Sequence, residues 1–211
     1  MATVTAMRPA AALLLAEAEA LPVVLDRYTA DDLDADTLLA GWRVRDVIAH
    51  CAAALGHLVA GDELVFTPEA NQVDVDARAD LAVADLIAEL FHVYPVAAEL
   101  IDRADGLADG LALGEWVHGG DIRDALGEVD AYASAGVELA LPLLMARSRE
   151  RQGPAVAVSL ADGELEFGVG ESAGSLRTDA ATLVRLCAGR RPDPACYTLH
   201  GVDPAALVLF T

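Results

Sequence analysis

The sequence predicts an α+β protein, with a four-helix bundle over residues 1–129 and a small α/β unit over residues 130–211. Three observations point there. Apolar residues recur at three- and four-residue spacing through much of the N-terminal part. The texture then changes near residues 128–132. Beyond it, two alternating runs, Ala155-Val156-Ala157-Val158-Ser159-Leu160 and Glu164-Leu165-Glu166-Phe167-Gly168-Val169, flank Asp162-Gly163, a strong hairpin signal. Four helices joined by loops pack most economically as a bundle, with any site built from the inward side chains of neighbouring helices.

The first helix is read over Pro9 to Arg27, with Leu13, Leu14, Val24 and Leu25 on its apolar positions and a bend or break expected near Pro22. Tyr28 to Ala40 carries Asp31, Asp32, Asp34, Asp36 and Thr37, which reads as a loop with short capped turns. The second helix runs from about Val44 to Val59, where Val44, Val47, Ile48, Cys51, Leu55 and Leu58 make one apolar face and His50 sits at its edge. Pro68 and Asn71-Gln72 are read as loop. The third helix, Asp80 to Arg103, carries Leu86, Ile87, Leu90, Phe91 and Tyr94 toward the core, with Pro95 predicting a kink or break. The fourth, about Leu107 to Leu126, ends at Gly127. A helix over Ala133 to Arg151 precedes the hairpin. Ser175-Leu176-Arg177 reads as a short strand, Thr178 or Asp179 caps a helix that Gly189 ends, and a last short helix starts near Pro204.

A chain of 211 residues that is 55% hydrophobic can bury a sizeable core. No apolar run approaches the ~20 residues that span a bilayer, and the Met1 end lacks a basic region followed by a long apolar core, so a cytoplasmic protein is expected. Cys51, Cys187 and Cys196 are odd in number and match no zinc-ribbon spacing, which agrees with a reducing compartment. A net charge of −20 argues against a nucleic-acid or anionic-membrane partner. The partner expected is a small molecule, the chain being a monomer or homodimer. All 14 basic residues are arginines, which excludes a Schiff-base lysine and a P-loop nucleotide site.

Two segments carry candidate chemistry, Gly41-Trp42-Arg43-Val44-Arg45-Asp46-Val47-Ile48-Ala49-His50 and Gly114-Glu115-Trp116-Val117-His118-Gly119-Gly120-Asp121-Ile122-Arg123. Glu115 and His118 stand three residues apart, about 60° around a helix axis, so both can point at one ion. If the second and fourth helices are neighbours, His50 completes a facial set of two imidazoles and a carboxylate. Such a set suits Zn²⁺, or less well Fe²⁺ and Ni²⁺, and leaves coordination positions open. Asp46 and Asp121 each lie one turn from a histidine, where they can orient a ligand imidazole. A plain structural reading stands beside this one: Glu-x-x-His pairs are common in helices, and His50 also fits a hydrogen-bonded histidine near a core. His57 reads as a boundary residue, His92 as packed among apolar side chains, His200 as a surface or turn residue, and Trp42 and Trp116 as core anchors.

The stretch Leu33-Asp34-Ala35-Asp36-Thr37-Leu38-Leu39-Ala40-Gly41 leading into Trp42 to His50 resembles the N-terminal signature of the mycothiol-dependent maleylpyruvate isomerase family, within the DinB-like metalloprotein superfamily. Glu115 to Gly127 resembles the family's fourth-helix signature, and Leu183 to Phe210 resembles the small α/β domain that many members append. The resemblance implies a DinB-like four-helix bundle holding a divalent metal, usually zinc, through His50, Glu115 and His118. It also implies a thiol cofactor, mycothiol, which is confined to actinobacteria, in line with the Ala-, Val-, Asp- and Leu-rich composition. One departure stands out. The family's helix-four pair is four residues apart, and the residue four before His118 is Gly114, so Glu115 is rotated by roughly 100° from the usual ligand position.

With metal present, an open Zn²⁺ site would bind a thiol as its thiolate, which adds to an activated double bond and leaves again (isomerisation) or stays attached (S-transfer). Arg45, Arg123 and Arg190 are the candidates to hold an acid substrate, with Arg45 and Arg123 taken as catalytic, although surface charge is the commoner role for each. Two other readings stay open. In one, metal-bound water acts without a thiol; in the other, a metal-free bundle binds a small ligand in a non-catalytic or regulatory role.

Overall fold

The computed structural model describes residues 6–210, so the Met1 end, read above for a leader, and Thr211 lie outside the described residues. Among the described residues there are seven α-helices and one four-stranded sheet. The chain divides into two compact units, Met1–Ala131 and Tyr132–Thr211.

In the first unit α1 spans Pro9–Leu25 and α2 Val44–Ala60; α3 is Pro68–Asp76, α4 Val83–Arg103 and α5 Asp109–Ala125. Neither internal proline interrupts its helix. Pro22 stands in the last turn of α1, where it forfeits a single internal hydrogen bond, and buried Leu21 and Leu25 hold that turn in place. Pro95 sits within α4 between buried Tyr94 and Ala97, and the helix continues to Arg103. At the start of α2, Asp46 accepts the Arg43 backbone N–H at 2.9 Å and the Arg43 Nε at 3.1 Å, closing the helix's open end.

The segment read as a loop around Pro68 is the helix α3. Thr67 caps it, accepting the Ala70 backbone N–H at 3.2 Å, and Pro68 takes the first turn, where its missing donor costs nothing. Both α1 and α2 pack against α4 and α5, while α3 packs on α2. The interior so formed holds Leu13, Leu14, Ile48, Leu55, Leu86, Leu90, Tyr94, Ile101 and Trp116. No helix among the described residues is long and apolar enough to cross a membrane.

In the second unit, α6 spans Val137–Glu150 and α7 Ala180–Cys187; the strands are β1 Pro154–Leu160, β2 Gly163–Phe167, β3 Val169–Arg177 and β4 Thr198–His200, in the order β2-β1-β3-β4. The hairpin pairs Leu160 with Gly163 and Val156 with Phe167. β3 is longer than the three residues read from the sequence and runs parallel to β1, while β4 closes the other edge antiparallel to β3. Gly168 makes that rearrangement possible: its φ is +73°, and a Cβ there would strike the Pro154 carbonyl. Asp179 caps α7 through the Thr182 backbone N–H at 2.7 Å. Val156, Val158, Phe167, Leu176, Leu183, Val184, Leu207 and Leu209 are buried in this unit.

Candidate functional site

α2 and α5 are neighbours, and they bring two of the candidate residues together. The His50 and His118 rings lie with centroids 5.1 Å apart and nearly perpendicular, at 89°. Trp42, just before α2, stands 5.1 Å from the His50 ring, and its indole N–H donates to Gln72 Oε1 at 3.0 Å. The α3 helix that spacing alone had hidden thus fixes the tryptophan beside the histidines.

The two histidines differ in what surrounds them. His118 Nδ1 lies 3.0 Å from Oδ2 of Asp121, whose side chain is fully buried, while His118 itself is 19% exposed. In the neutral ring, a carboxylate at Nδ1 favours the proton there and leaves Nε2 as an acceptor, the arrangement of an oriented general base. His50 is buried, and its Nδ1 has no hydrogen-bond partner. Burial, with a smaller contribution from His118, pulls its pKa down to about 3, so it is neutral at physiological pH. Asp46, the other candidate orienter, serves the α2 cap instead.

Glu115 does not join the histidines. Its carboxyl is buried against the Cys51 thiol, with which it shares a hydrogen bond, and burial pushes its pKa up to about 8, with the Glu17 charge adding to the rise. Helix geometry accounts for the separation. Cys51 is one residue, about 100°, beyond His50, and Glu115 is about 60° around α5 from His118. The histidines share one seam between the helices, and Cys51 with Glu115 shares the next. Among the described residues no three His, Cys, Asp or Glu side chains are placed to hold a metal ion. Two imidazoles fall short of the three protein ligands of a catalytic zinc centre, so the residues as arranged do not fit the metal read from the sequence.

The two arginines expected to be catalytic, Arg45 and Arg123, make structural contacts. Arg45 donates to the backbone carbonyls of Ala79 and Leu81 at 3.1 and 2.8 Å, closing the turn before α4. Arg123 is buried against Glu17 of α1, with Nη2 donating at 3.1 Å and Nη1 at 2.9 Å from the other carboxylate oxygen. Arg190, in the second unit, donates to the Ala188 carbonyl. His57 bridges Asp62 and Asp74. His92 is exposed on α4, not packed in the core, and His200 is exposed on β4.

The Glu17–Arg123 pair was missed in the sequence, although a signal for it existed. Glu17 and Glu19 interrupt the apolar stretch from Ala10 to Leu21, and the one of them that is buried, Glu17, demands a cation, which in this chain must be an arginine. Gly119 gives the pair its room, since a Cβ there would overlap the Glu17 carboxylate.

No protein-family profile matches the sequence, and no curated protein sequence matches it. Solved structures do. The crystal structure of the mycothiol-dependent maleylpyruvate isomerase superposes with a TM-score of 0.62 at 18% identity, over 92% of this chain and 93% of that one. A histidine-to-alanine variant of that isomerase superposes over the same shares with a TM-score of 0.59 at 17% identity. At these identities the likeness establishes a shared fold, helical and sheet parts together.

Proposed function

We propose that the chain catalyses a thiol-dependent isomerisation or S-transfer on a small unsaturated or electrophilic substrate, at His50, His118 and Asp121. The observation that carries this reading is the 3.0 Å contact between His118 Nδ1 and the buried Asp121, on a ring that abuts a neutral histidine. The fold shared with a mycothiol-dependent isomerase supports a thiol of the mycothiol type as the co-reactant and maleylpyruvate as the first substrate to try.

In the proposed sequence, His118 Nε2 takes the thiol proton and Asp121 steadies the imidazolium that forms. The thiolate adds to the β-carbon of the activated double bond, whose π electrons move onto the activating carbonyl. Rotation about the resulting single bond and expulsion of the thiolate restore the double bond in the other geometry. The thiolate then takes back the proton held by His118, so no atom is gained or lost. In S-transfer the adduct is instead protonated at carbon and released. His50, neutral in its buried setting, donates to or accepts from the substrate, and Trp42 forms a wall. No step runs through a metal, because the ligand set for one is not assembled.

Turnover of maleylpyruvate with and without mycothiol, in wild type and in His118→Ala, is the test. The variant is expected to lose about 10²- to 10⁴-fold in kcat/KM while keeping its helical circular dichroism. Thiol-independent turnover, or a His118→Ala rate equal to wild type, would remove the assignment. A second reading, binding of a small ligand without catalysis, is favoured by the commitment of Glu115 to Cys51. It predicts calorimetric binding of a thiol with no turnover.

A further inference from the structure

We infer that His50 and His118 form a two-ligand site whose third position is residue 114, so that this chain lacks a resident metal centre for want of a carboxylate at that position. Residues four apart on a helix stand on one face, so a side chain at 114 lies beside His118. Gly114 and His118 are the two partly exposed residues in a stretch of α5 where Glu115, Trp116, Val117, Gly119 and Gly120 are all buried. A Cβ built on Gly114 meets nothing within 4 Å, so the space that a longer side chain would enter is open.

Glu115 cannot take over the role by a turn of the helix. Swinging it about 100° toward the histidines would carry fully buried Trp116 out of the core. The same motion would break Arg123 from Glu17 and move Asp121. The packing of α5 therefore fixes which residue stands one turn before His118 on its face, and that residue is a glycine. The pair His50 and His118 remains poised, since His50 Nδ1 has no partner and Asp121 already orients His118 as it would orient a metal ligand.

The experiment measures Zn²⁺ affinity by competition with a chromophoric chelator, and the visible spectrum with Co²⁺ in its place. It uses the full chain as wild type, G114E, G114H, E115Q and G114E with H50A. Wild type and E115Q should behave alike, with no stoichiometric zinc and no tetrahedral cobalt spectrum. G114E should bind one ion at least about 100-fold more tightly than wild type and lose it when His50 is replaced. If G114E fails to fold by circular dichroism, G114H carries the same expectation. A wild type that holds one zinc tightly and releases it on E115Q would overturn the inference. So would a folded G114E or G114H that binds no better than wild type.

Discussion

A methyl group at position 119 would land on the Glu17 carboxylate and within 2.9 Å of Arg123 Nη1. Gly119→Ala must therefore overpack the interior or part a buried ion pair, and either costs about 3 kcal/mol. Thermal denaturation should show a melting point lower by about 6–12 °C. An unchanged melting point would mean that the pair is not held against α5 as described. Glu115 and His50 tie stability to pH in opposite directions. Glu115 keeps its proton in the fold up to about pH 8 but loses it near 4.5 when unfolded. The native state binds the extra proton in that window, so stability falls as pH rises through it. His50 is neutral in the fold above about pH 3 and takes a proton near 6.5 when unfolded. Through His50, stability rises with pH across that lower window. Glu115→Gln should flatten the decline above pH 6.5 and raise the melting point at pH 8 relative to wild type; a steeper decline would contradict the burial argument. His50, His118 and Asp121 were legible because their spacing names a face. The surroundings of Glu115 were not, because the same spacing leaves about 60° of freedom, and what fills it, Cys51 on the partner helix, is a tertiary fact.

At the scale of elements, the long helices were legible and the short one was not. α1, α2 and α4 are apolar enough on their buried positions to dominate any local signal, and even Pro22 in α1 and Pro95 in α4 yield to it. α3 has only nine residues and little apolar character, so its existence rests on a cap. Thr67 followed by Pro68 and Glu69 is a helix-start pattern that the loop-like proline and asparagine concealed. Thr67→Ala should cost about 1 kcal/mol and speed amide exchange in α3 first. Because Gln72 holds the Trp42 indole, the same variant should change tryptophan fluorescence; exchange confined to other helices would argue against this cap. β3 was read short because Gly170, Ser172 and Gly174 weaken its alternation, although its backbone pairs with β1 across nearly its whole length.

Over the whole molecule, 34 acidic residues face 14 arginines, and that excess repels itself in the compact state. Raising NaCl from 0.05 to 0.5 M, which shortens the Debye length from about 14 to 4 Å, should raise the melting point; a fall would mean that attractive pairs outweigh the excess. The division after Ala131 separates a helical unit from one that carries the sheet. Composition and periodicity could register that difference, but not the parallel β1–β3 pairing, which depends on a single glycine.

Whether His118, oriented by Asp121, activates a thiol without a resident metal comes down to one rate. Isomerisation of maleylpyruvate by mycothiol should be measured on EDTA-treated wild type, His118→Ala and Asp121→Asn. Wild type should keep its rate after EDTA, His118→Ala should lose about 10²-fold or more, and Asp121→Asn should fall between them. A rate abolished by EDTA and restored by zinc in wild type would contradict metal-free activation.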